Sequence, residues 1–130
     1  MKKIIAVLLS MLCVNLSFSK AIINGIDVPV QYETVEVKPL FPGGMSEFMQ
    51  FVMKNFQIQE DEEGNIPTGT VHVSIIINAE GAVSQINILR DVGNAGKEIK
   101  RILAKCPKWT PGRMKGQNVS VEYNFPIIIK

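Results

Sequence analysis

Two runs of β-favouring residues held apart by a short turn constrain this chain more than any other feature. Thr70-Val-His-Val-Ser-Ile-Ile-Ile-Asn78 places Val71, Val73, Ile75 and Ile77 on one face. After Ala79-Glu80-Gly81-Ala82 the pattern resumes over Val83–Asp91. Successive side chains of a strand point to opposite faces, so the two runs read as a β-hairpin. The first run is almost continuously apolar from Val71 to Ile77, as expected of a central strand.

Helical periods flank this hairpin. Met45, Phe48, Met49, Val52, Met53 and Phe56 recur at the spacing of one helix face, with Glu47 in the first turn where the helix dipole favours an acid. Phe41-Pro42-Gly43-Gly44 precedes them and reads as a tight turn before the helix. A second helix follows Asn94, with Ala95, Ile99, Ile102, Leu103 and Cys106 on the core side, and Pro107 stops it. Beyond the turn-rich link Lys108–Arg113, Val119, Val121, Tyr123, Phe125, Ile127 and Ile129 alternate with Ser120, Glu122, Asn124, Pro126 and Ile128 as a last strand. Residues 59–69 break every period and read as a connecting loop.

The order is therefore α-β-β-α-β. The expected fold is α+β, a two-layer arrangement of a three-stranded antiparallel sheet in the order 2-1-3 with two helices packed on it. Pro126 supports an edge position for the last strand, because a residue without N–H is tolerated only where that donor would face away from a neighbour. Ser120, Glu122 and Asn124 share its parity, so their backbone groups are expected to point outward and unpaired. Such an edge is an aggregation liability unless something covers it. An extended peptide adding by β-augmentation, the leader segment, a second copy of the protein or water are the candidate occupants.

Composition narrows the function. Lys2 and Lys3, the apolar run from Ile4 to about Phe18 and the small-residue pattern Ser17-Phe18-Ser19 have the order of a secretory signal cut after Ser19. An uncleaved membrane anchor is the alternative, although about 15 apolar residues fall short of a bilayer span. Lipidation at Cys13 is a third reading. Losing residues 1–19 leaves 12 Lys+Arg against 12 Asp+Glu, so there is no dense cationic face for nucleic acid. Cys106 is then the only cysteine and no intramolecular disulfide can form. The chain divides into a signal (1–19), an extended leader (20–40) and one folded domain (41–130).

Nothing in the sequence has the pattern of an active site. His72 and Cys106 are the only thiol and imidazole available to pair after the signal, and Cys106 belongs to an apolar stripe. Glu60, Asp61, Glu62 and Glu63 match no calcium loop. No serine lies in a nucleophile elbow and no glycine-rich loop cradles a phosphate. We expect no enzyme activity, no cofactor and no metal.

Three motifs in order carry a likeness to a known family: Phe41-Pro42-Gly43-Gly44, the hairpin with Gly81, and Pro107-Lys-Trp109-Thr-Pro111-Gly112 before the last strand. Residues 35–130 resemble the TonB C-terminal domain family, in particular its Bacteroidetes-type members. The resemblance implies a periplasmic domain that captures a short N-terminal box of TonB-dependent outer-membrane receptors as a strand added beside its last strand, in energised uptake. Matched onto this sequence, Ser120, Val121, Glu122, Tyr123, Asn124 and Phe125 form the peptide-binding rail, and Trp109, Pro111 and Gly112 shape the approach to it. From the residues alone, Trp109 serves equally well as a core plug. Full transducers of the family carry a membrane anchor and a long proline-rich spacer, whereas residues 20–40 reach only about 70 Å fully extended.

The expected protein is thus a non-enzymatic, periplasmic peptide-binding module linked to TonB-dependent transport. The alternatives are a structural module that homodimerises through the same edge and a short energy transducer anchored in the inner membrane by an uncleaved signal.

Overall fold

The computed structural model describes residues 22–23, 26–57 and 60–130; the expected signal, residues 1–19, lies outside the described residues. The elements are β1 (Ile22–Ile23), β2 (Ile26–Asp27), β3 (Val30–Gln31), α1 (Met45–Asn55), β4 (Gly69–Ile77), β5 (Val83–Arg90), α2 (Ala95–Leu103), β6 (Gly112–Met114), β7 (Gln117–Val119) and β8 (Val121–Ile129). β1 and β2 pair with each other, and β6 pairs with β7. The main sheet runs β3-β8-β4-β5.

The three long strands keep the expected order, with β4 between its hairpin partner β5 and the C-terminal β8. Two expectations are corrected. The sheet has four strands and is mixed, not three-stranded and antiparallel, because β3 adds parallel to the outer side of β8. The last strand begins at Val121 instead of Val119. Lys115 and Gly116 both take positive φ, 51° and 77°, which makes the tight two-residue turn that folds β6 onto β7 and draws Val119 into a separate hairpin.

β5 carries two irregularities against β4, where Ser84 and Leu89 are the extra residues. Such bulges turn a side chain off its face, and Leu89 is accordingly exposed. β4 and β8 pair without a break from Gly69↔Ile129 to Ile77↔Val121.

Both helices pack on one face of the sheet. Before α1, the Gly44 N–H donates to the Phe41 carbonyl at 2.7 Å, with Pro42 and Gly43 (φ 89°) at the two central positions of the turn. Proline followed by a residue of positive φ is the preference of a type II turn. α1 then buries Phe48 and Val52 completely. Met53, expected in the stripe, is exposed, while Phe51 packs on the Phe41 ring, because that ring covers the flank of the helix.

α2 is capped from outside itself. The Asp91 carboxylate accepts the N–H groups of Val92 and Gly96, both at 2.7 Å, which places negative charge at the positive end of the helix. Gly96 makes the approach feasible, since a Cβ there would sit 2.6 Å from the Asp91 carboxylate. The helix ends at Leu103, so Cys106 lies beyond it, half-buried against the core.

Phe48 is the hub of the interior. Its ring lies 4.8 Å from that of Trp109, 5.3 Å from Phe41 and 5.3 Å from Phe125, between centroids. The pairs with Trp109 and Phe125 are edge-to-face, a geometry that adds to the area they bury. Trp109 is 3 % exposed and its indole N–H donates to the Cys106 Sγ at 3.3 Å. Its backbone N–H donates to the Gly81 carbonyl, which ties the chain after α2 to the tip of the β4–β5 hairpin. A smaller satellite core joins Val35, Val119 and Val121, with Val30, Tyr32 and Met114 packed on it.

Two outcomes follow from this packing. At Gly81 (φ 88°) a Cβ would lie 1.9 Å from the Trp109 carbonyl oxygen. Gly81→Ala should therefore cost on the order of 3–5 kcal/mol in urea unfolding, since backbone cannot yield as a side-chain tip can. Burial pushes the Cys106 thiol above the ordinary cysteine range, against a smaller lowering by the Trp109 hydrogen bond. Iodoacetamide should accordingly modify Cys106 more slowly at pH 8 than it modifies an unstructured cysteine peptide, with the gap closing in urea. Mass spectrometry of the adduct reads the difference.

Candidate functional site

β8 alternates strictly. Val121, Phe125, Ile127 and Ile129 are buried under the helices or in the satellite core, and Tyr123 is half-buried among them. Glu122, Asn124, Pro126 and Ile128 occupy the other face, with the last three exposed. Because residues of one parity bond to β4, those of the other parity aim their N–H and C=O groups outward.

That outward direction is as expected, but the groups at the start of the strand are not unpaired. The Val30 N–H donates to the Ser120 carbonyl at 2.8 Å and the Tyr32 N–H donates to the Glu122 carbonyl at 2.9 Å. Side chains reinforce the pairing. Gln31 Nε2 donates to Glu122 Oε1 at 2.9 Å, and the Tyr32 ring lies 4.4 Å from that of Tyr123. Lys38 Nζ stands 5.2 Å from the Tyr32 ring centroid. The pattern that marks Ser120 and Glu122 as outward-facing says nothing of which segment meets them, and residues 30–32 carry no strong strand signal.

Past Tyr32 the leader turns off the edge. The Gln31 carbonyl accepts the N–H groups of Thr34 and Val35 and the Thr34 hydroxyl. Val35 then drops into the satellite core. Consequently β3 pairs only with Val121 and Glu122, and among the described residues no strand lies on the outer side of Asn124–Ile128, opposite β4.

The remaining expected site residues divide between core and edge. Glu122 is tied down on both carboxylate oxygens, by Gln31 and by the Ser74 hydroxyl at 2.9 Å. Tyr123 stacks on Phe125 at 5.0 Å, and burial raises its hydroxyl pKa above the usual tyrosine value. Trp109 lies in the aromatic core. Gly112 is buried where the Val37 carbonyl passes, 3.2 Å from the position a Cβ would take, and Arg113 and Val37 exchange backbone hydrogen bonds beside it. Pro111 is half-buried in the same link. Gly112 thus admits the leader to the fold and lies against Val121 at the start of β8, whose side chain would be 2.5 Å from a Cβ there.

Other candidate chemistry stays dispersed. His72 is exposed opposite Pro126 on the outer face, whereas Cys106 packs beneath the other face with the core. Asp61 folds its own loop by accepting the N–H groups of Glu63 and Asn65, and the Asn65 bond heads the causes that hold its carboxyl below the usual range. No cluster of three metal-ligating side chains occurs among the described residues. No helix among them is long and apolar enough to cross a membrane. A cleft of about 300 Å³ opens at the end of the edge, between Pro29, Ser120, Ile76, Asn78 and Ser84.

Comparison with curated proteins and with solved structures finds no match. The family model described as Gram-negative bacterial TonB protein C-terminal matches residues 62–128, from the loop before β4 almost to the end of β8. It therefore takes in the β4–β5 hairpin, α2, the Trp109 link and the strand that borders the sheet, and this chain belongs to the TonB C-terminal domain family.

Proposed function

We propose that this protein is a non-enzymatic periplasmic module that binds an extended peptide by β-augmentation on β8. The peptide is the N-terminal box of an outer-membrane receptor, so the module serves TonB-dependent transport. Membership of the family supports the link to transport and the kind of partner. One observation carries the peptide reading: the outer side of β8 already accepts a strand at Val121–Glu122 and has none beside Asn124–Ile128 among the described residues.

A guest strand on this edge gains affinity from backbone groups and selectivity from the side chains beside it. Ser120, Glu122 and Asn124 offer the outward backbone groups. Val121, Tyr123 and Phe125 anchor the rail from the buried face, and Trp109, Pro111 and Gly112 support it from the core and the leader. A signal over residues 1–19 would deliver the domain, residues 41–130, to the periplasm with residues 20–40 as its leader.

The decisive substitution is Asn124→Pro. It removes one outward N–H and leaves the β4 ladder intact, because Asn124 has the parity of Pro126 and stands opposite Ser74 in a pair that exchanges no hydrogen bond. Titration with synthetic receptor N-terminal segments should give affinity weakened roughly three- to tenfold, the worth of one net hydrogen bond, with an unchanged far-UV spectrum. Unaltered affinity would count against the rail. Sedimentation over a range of concentrations separates peptide capture from a second copy of the chain pairing through the same groups.

A further inference from the structure

β3 occupies part of the edge to which the peptide reading assigns the guest. It pairs with only two residues of β8, through a short parallel ladder flanked by the Val30 and Tyr32 N–H bonds to the Ser120 and Glu122 carbonyls, the Gln31–Glu122 contact and the Tyr32–Tyr123 rings. Immediately afterwards the turn on the Gln31 carbonyl takes the chain away from the sheet. A strand this short is marginal by itself. It stays in place because it is tethered to the same chain, which gives it an effective concentration on the order of millimolar.

We infer that residues 30–32 are a resident strap, an intramolecular stand-in for the guest strand that keeps the Ser120–Glu122 part of the edge closed until a longer strand displaces it. This rests on the peptide reading above. The strap saturates the same carbonyls of Ser120 and Glu122 that a guest would use, and its direct hold on the sheet is confined to Val30, Gln31 and Tyr32.

The chain after the strap is held by other contacts. Val35 is buried, and Val37 and Leu40 exchange backbone hydrogen bonds with Arg113 and Thr110. The leader after the turn is therefore anchored independently of β3, and the strap can peel from β8 without unlacing it. A guest that begins at Asn124–Ile128, on whose outer side no described strand lies, can pair there first and advance toward Ser120 as the strap leaves. Any guest that needs the whole edge binds with its affinity reduced by the fraction of molecules in which the strap is docked.

The test uses a synthetic peptide of residues 28–35 as the probe, titrated into the 15N-labelled protein and read at the amides of Glu122 and Asn124. Val30→Pro removes the donor to the Ser120 carbonyl and should bind the peptide at least tenfold more tightly than the unsubstituted chain. Gln31→Cys with Glu122→Cys, at side chains already in contact, locks the strap when oxidised. The oxidised form should bind no peptide at Glu122, and reductant should restore binding in the same sample. Equal affinity of Val30→Pro and the unsubstituted chain, or equal binding by the oxidised and reduced lock, overturns the strap and leaves the edge reading standing. Absence of binding by Val30→Pro and by the reduced lock alike overturns the edge reading, and the strap with it. Should Val30→Pro fail to fold, the lock alone decides by comparing its two redox states.

Discussion

The unbroken ladder between β4 and β8 is the constraint on which the rest of the molecule depends. Nine consecutive pairs hold β8 in one register. A slip of one residue would turn Glu122 and Asn124 into the core and expel Val121, Phe125 and Ile127, so the hydrophobic pattern allows no other pairing. That register also fixes the direction of every backbone group on the outer side. Pro126, opposite His72, falls where a missing N–H costs the ladder nothing.

A line of rings couples this edge to the interior. It runs from Tyr32 through Tyr123 and Phe125 to Phe48, and on to Trp109 and Phe41. Trp109 is therefore both a packing residue and a tie, because its backbone also holds the tip of the β4–β5 hairpin. The edge strand is backed by a rigid aromatic layer on one face, while the other face carries the Ser74–Glu122–Gln31 contacts. An incoming strand would meet an ordered platform, which lowers the entropy lost on binding.

The leader is part of the fold from Val30 onward. It contributes one strand to the main sheet, Val35 to the satellite core, and two bridges to the link after α2. The link has a glycine at residue 112, where the Val121 side chain, the Val37 carbonyl and Pro39 all pass close. The family match begins at residue 62, after this segment.

The amino-acid sequence determined what depends on short-range periodicity. Both helices, the β4–β5 hairpin, the position of β8 beside β4 and the outward parity of Ser120, Glu122 and Asn124 all follow from alternation, helical spacing and one proline. It also carried the resemblance to the family whose model matches residues 62–128. Tertiary structure alone decided what meets that edge. Val30–Gln31 is too short for a periodic signal and its pairing spans 91 positions between Gln31 and Glu122, so no local pattern could announce it. The same holds for Trp109, whose burial depends on where Phe41, Phe48 and Gly81 arrive in space. Local residue patterns specify which groups are available, and the packing of distant segments specifies which of them are already taken.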